Sequence, residues 1–60
     1  MSNIYKCISN VKYKKSIFNV GELVSINSKN GNYYLIVDLN YTKGLSIPVI
    51  EFEKKFKLYE

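Results

Sequence analysis

The chain has 60 residues, a formal charge of +4, six Tyr, three Phe, one Cys and no His. That length makes one domain, residues 1–60, which buries only about 60% of its unfolded surface. A lone Cys7 excludes an internal disulfide, and without His it leaves no tetrahedral zinc set, so neither a metal nor a cofactor is expected. Aromatic packing or self-association must then supply the stability, since each enclosed ring buries about 150–250 Å². All nine cations are Lys. A modest positive field favours anionic partners, although Arg, the preferred fork for phosphate, is missing. A chain rich in Asn, Lys, Ile and Tyr also fits the codons of an A+T-rich genome. The first ten residues lack an apolar signal-peptide segment. No apolar run approaches the roughly 20 residues of a membrane helix. The expectation is a soluble cytoplasmic protein that does not enter a membrane, with Cys7 a small buried filler.

In chain order, Ile4 to Tyr13 alternates loosely, with Tyr5, Cys7, Val11 and Tyr13 on one side, which predicts a strand. Lys14-Lys15-Ser16 reads as a solvated connection. Ile17 to Val20 is a short apolar stretch that ends in a bend at Gly21-Glu22. Leu23 to Leu39 predicts a β-hairpin turning at Asn30-Gly31, the pair a type I′ turn favours. That turn pairs Ser28 with Tyr33, Ile26 with Leu35 and Val24 with Val37 on the core face. Asn27, Ser25 and Leu23 then meet Tyr34, Ile36 and Asp38 on the outer face. Tyr33 to Leu39 is apolar on both faces, as in a central or covered strand. Asn40 to Gly44 fits a hairpin loop, pairing Leu39 with Leu45, Val37 with Ile47 and Leu35 with Val49. Pro48 would fall opposite Ile36 and mark an edge strand or a bend. In the tail, Val49, Phe52 and Phe56 recur at helical spacing, then Phe56-Lys57-Leu58 alternates. The pattern predicts a helical turn over Glu51 to Lys55 and a strand from Phe56 to Tyr59.

The pattern Phe18-Asn19-Val20-Gly21-Glu22-Leu23-Val24-Ser25-Ile26, with Gly31, Tyr34, Asp38 and the closing Phe52 to Leu58, resembles small SH3-like proteins of phages and prophages in low-G+C bacteria. The resemblance covers roughly residues 4 to 59. It implies a mainly β fold, a small five-stranded SH3-like barrel with one short helical turn before the last strand. It also implies a mobile-element accessory protein, from families that include host-takeover and counter-defence factors. The Trp and acidic loop of signalling SH3 domains have no counterpart here, so binding of proline-rich peptides is not carried over.

Catalysis has little footing. There is no His for acid–base work near neutral pH, and Glu22, Asp38, Glu51, Glu53 and Glu60 show no paired spacing. Gly21, Gly31 and Gly44 are isolated, each explained by a turn. The expectation is a non-enzymatic binding protein with no catalytic residues. Its contact surface is expected on the outer hairpin face, with Leu23, Tyr34 and Ile36 as apolar anchors and Lys14, Lys15 and Lys43 as rim cations. Its target would be a host protein, or an anionic nucleotide held in a homo-oligomer. The competing reading is a nucleic-acid-binding small barrel, or a structural part of a phage complex. Lys12, Tyr13, Lys14 and Lys15, with Lys29 and Lys43, combine cations and aromatic rings as single-strand binders do.

Overall fold

The computed structural model describes residues 3–14 and 16–59. Among these residues seven strands and one helix follow one another: β1 Ile4–Cys7, β2 Val11–Tyr13, β3 Ser16–Phe18, β4 Leu23–Asn30, β5 Tyr33–Asp38, β6 Gly44–Pro48, α1 Val49–Lys55 and β7 Phe56–Leu58. The fold is mainly β, as expected. Five strands form one antiparallel sheet in the order β6-β5-β4-β1-β7, and β2 and β3 form a separate two-stranded sheet. The sheets are open and do not close into a barrel, which corrects that part of the expectation.

The single strand expected over Ile4 to Tyr13 is instead two. β1 ends at Cys7, whose N–H continues the β1–β4 register by donating to Glu22 O while its carbonyl accepts from Gly21 N–H, both 2.8 Å. The chain then leaves that sheet, so that β2 pairs with β3. Gly21 has φ +99°, as the third position of a type II turn requires. The bend at Gly21-Glu22 is therefore present. It is held further by the Asn19 N–H, which donates to Glu22 Oε1 at 2.7 Å, and by the Val20 N–H, which donates to Asn10 Oδ1 at 2.8 Å.

The β4–β5 hairpin forms, but its register differs from the expected one. Asn30 pairs with Tyr33, so the two turn residues are Gly31 and Asn32. Gly31 takes φ +63° and Asn32 does not take positive φ, the type II′ pattern with Gly at the first central position. A bulge between Ile26 and Ser28 then shifts the ladder, and Ile26 meets Ile36 where Leu35 was expected. One extra residue in a strand exchanges the faces of everything beyond it. Ile36 is consequently at 0% exposure, while Leu35 and Val37 are half-buried on the other side.

The next hairpin is displaced too. Val37 faces Gly44 rather than Ile47, and Pro48 faces Tyr33 rather than Ile36. Asp38 explains the early turn. Its carboxylate accepts from the Thr42 hydroxyl at 2.6 Å and from the Thr42 and Lys43 N–H groups at 2.7 and 2.9 Å. A short acidic side chain that satisfies three loop donors, two of them backbone N–H groups, offers the backbone an alternative to continuing the ladder.

The expected position of Pro48 on an edge strand holds, since β6 borders the sheet. Pro48 also precedes α1, with Glu51 in the first turn and Lys54 and Lys55 in the last, charges that suit the helix dipole. Seven residues are too few for a self-sustaining helix, so packing holds α1 in place. Phe52 stacks on Phe56 at 4.9 Å and makes T-shaped contacts with Tyr5 and Tyr34 at 5.0 and 5.1 Å. The core comprises Cys7, Phe18, Val24, Ile36, Leu45, Ile47, Phe52 and Phe56.

Candidate binding cleft

The residues expected on one outer face do not share it. Ile36 is fully buried and offers no contact surface. Tyr34 is half-buried with its ring against Phe52 inside the fold. Leu23 is half-buried and pairs with Lys6 on the opposite side of the sheet from both. The register change is the physical reason, because Tyr34 and Ile36 exchanged faces with Leu35 and Val37.

The rim lysines also separate. Lys14 is exposed at the β2–β3 tip, with φ 54° and its Nζ 5.7 Å from the Tyr13 ring centroid. Lys15 lies outside the described residues. Lys43 is committed elsewhere: its Nζ is 2.9 Å from Glu22 Oε2, donates to Ile17 O, and sits 4.6 Å from the Phe18 ring centroid. It ties the β5–β6 loop to the β3–β4 bend. Glu22 is correspondingly held below its ordinary carboxylate pKa, first by the Asn19 N–H and then by Lys43.

Cys7 is fully buried, as expected. Its Sγ donates to Ser9 O at 3.1 Å, and burial pushes its thiol pKa up, away from the thiolate a nucleophile needs. Among the described residues no cluster of His, Cys, Asp and Glu could hold a metal ion, and no helix is long and apolar enough to cross a membrane.

What the fold does bring together is a cleft of about 480 Å³ between the β2–β3 sheet and β6, within the range of ligand pockets. Residues 10–13 and 45–48 border it, together with Tyr33, Glu51 and Lys55. Side chains alternate between the faces of a strand. Four consecutive bordering residues therefore mean that the strand's backbone edge, and not one of its faces, looks into the cleft. This holds for β6, whose other edge is paired with β5. Tyr13 and Tyr33 are 55% and 49% exposed, and Lys12, Lys55 and Glu51 are the charged residues of the lining among the described residues.

Lys12 and Tyr13 were visible in the sequence as part of a basic aromatic group. Tyr33, Pro48 and Lys55 were not, because nothing local places them beside β2. No family model, curated protein or solved structure matches the chain.

Proposed function

We propose that this protein is a non-enzymatic binding module of SH3-like fold whose ligand site is the β2–β6 cleft and whose ligand is anionic. The observation that carries this reading is the pair of exposed tyrosines facing a cleft with two lysines and one glutamate at its border. Tyr is a large contact surface with little rotamer freedom to lose, and the lysine excess attracts negative charge. The meander β4-β5-β6, the helix after it, and a last strand returning beside β1 support the SH3-like assignment. The resemblance to phage and prophage accessory proteins gives the proposed context, interference with a host system through occupation of a target.

The test is an amide-resolved NMR titration with three anionic probes: a polyglutamate peptide, an oligothymidylate and a nucleoside diphosphate. Saturable shifts are expected around Lys12, Tyr13, Tyr33 and Lys55 for at least one probe, weakened about tenfold by Lys12→Glu combined with Lys55→Glu. Shifts gathered instead around Leu23 and Val37, or no saturable shift with any probe, would overturn the reading.

A further inference from the structure

Resting on the cleft as the ligand site, we infer that its ligand is an extended acidic polypeptide segment that adds as a strand to the free edge of β6. The orientation of the β6 backbone carries this. The Val49 N–H donates to Asn32 O at 2.8 Å, and the Asp38 N–H donates to Lys43 O at 3.2 Å. Both pairs continue the register in which Ile47 faces Tyr34 and Leu45 faces Ile36. In an antiparallel ladder, hydrogen-bonded and non-hydrogen-bonded pairs alternate. Lys43, Leu45, Ile47 and Val49 therefore turn their N–H and C=O groups toward β5. Gly44, Ser46 and Pro48 turn theirs away from it, into the cleft.

Those three residues are not equivalent. The Gly44 carbonyl already accepts from the Ser16 hydroxyl at 2.9 Å, which confirms its outward direction. Pro48 has a carbonyl and no N–H. Ser46 presents both groups, on an edge that no strand pairs with among the described residues. An extended segment in the cleft would exchange two hydrogen bonds with Ser46 and donate a third to Pro48 O. Main-chain bonds of this kind supply affinity in strand addition, while side-chain pockets supply specificity.

Charge selects the sequence. Among the described residues the slot is bordered by Lys12 and Lys55 against one carboxylate, Glu51, so acidic side chains on the added strand are favoured. Val11 and the buried Leu45 and Ile47 offer an apolar floor for the residues that alternate with them. The occupant is thus an extended chain alternating apolar and acidic residues. The sugar-phosphate backbone of a DNA strand carries acceptors and no donor, so it cannot answer the Ser46 carbonyl in a repeating ladder. With the slot filled, the open gap between β2 and β6 becomes continuous with the sheet, and the exposed edge, otherwise a template for uncontrolled pairing, is covered.

The probe is a short fluorescent peptide alternating glutamate and valine, measured by anisotropy and by hydrogen exchange of the Ser46 amide. Expected results are saturable binding, slowed exchange at Ser46, and about tenfold or greater weakening by Ser46→Pro, with Ser46→Ala unchanged because it keeps the backbone groups. A peptide N-methylated on alternate backbone nitrogens should lose binding equally, which covers the case that Ser46→Pro perturbs the fold. If Ser46→Pro and the N-methylated peptide bind normally while Lys12→Glu with Lys55→Glu abolishes binding, strand addition is wrong and the cleft reading survives. If the lysine substitutions have no effect, the cleft reading falls with it. Two other results also overturn the inference: an oligothymidylate binding more tightly than the peptide and insensitive to Ser46→Pro, or a dimer that Ser46→Pro converts to monomer, which would make a second copy the occupant.

Discussion

Truncating neighbouring residues in β5 distinguishes the two faces of that strand. Ile36 is at 0% exposure, opposite Ile26 on one side and Leu45 on the other. Emptying such a site costs about 2–5 kcal/mol, the range for aliphatic residues cut to Ala in a core. Leu35 is half-buried opposite Ser28 and Ser46, so Leu35→Ala should cost about 1 kcal/mol, roughly half the burial value of a full side chain. A domain of this size has roughly 3–9 kcal/mol of stability in all, from about 0.05–0.15 kcal/mol per residue. Ile36→Ala therefore consumes a large part of it and Leu35→Ala does not. Urea unfolding followed by tyrosine fluorescence and far-UV circular dichroism reads the difference. With a slope of about 1 kcal/mol/M, the midpoint should fall by about 2 M or more for Ile36→Ala and by about 1 M for Leu35→Ala, at unchanged slope. A larger loss for Leu35→Ala would mean that β5 presents its other face to the core. The bulge and the assignment of cleft-facing groups on β6 would then both be wrong.

Acid stability should report the two loop carboxylates. Glu22 is held low by the Asn19 N–H and then Lys43, and Asp38 by the Thr42 hydroxyl and then the Lys43 N–H. Because both folded values are depressed, their stabilisation is complete above the unfolded values near 4.5 and 3.8 and is lost as pH falls through the folded ones. The melting temperature should drop in that acid range, and drop less steeply in Glu22→Gln and Asp38→Asn; parallel curves for all three proteins would refute the assignment. Cys7 should resist thiol reagents in the native protein and react once urea unfolds it, since its thiol is buried and its pKa raised by that burial. Native labelling at the rate of a free thiol would contradict the packing. The raised value also implies a stability contribution present below the unfolded pKa, near 9.0, and lost as pH rises through the folded one.

Local signals carried much of the fold. Alternating apolar residues, the reversal near Gly31, the bend at Gly21, the edge position of Pro48 and the helical turn followed by a strand from Phe56 were all legible. Each depends on a few adjacent residues, and a turn or a short amphipathic stretch expresses its chemistry wherever it sits. Val24 was legible as a core residue for the same reason.

Register was not a local matter. Asn30-Gly31 and Gly31-Asn32 both make acceptable two-residue turns, of type I′ and II′ respectively, and the choice between them moves the ladder. The bulge next to Ile26 is visible only as a ladder shift. It puts Ile36 opposite Ile26, with Tyr34 against Phe52, a residue eighteen positions further along. Asp38 gathering the Thr42 and Lys43 donors likewise ends β5 earlier than the apolar run suggests.

The same division applies to the site. Lys12 and Tyr13 stand out in sequence because they are neighbours, whereas the cleft exists only because β6 and β2, far apart in the chain, come to face one another. Composition, strand content and turn chemistry followed from residues acting on their neighbours. Which side chains point inward, and which backbone groups are left without partners, followed from long-range packing, because an extended strand has two nearly equivalent faces and only its contacts choose between them.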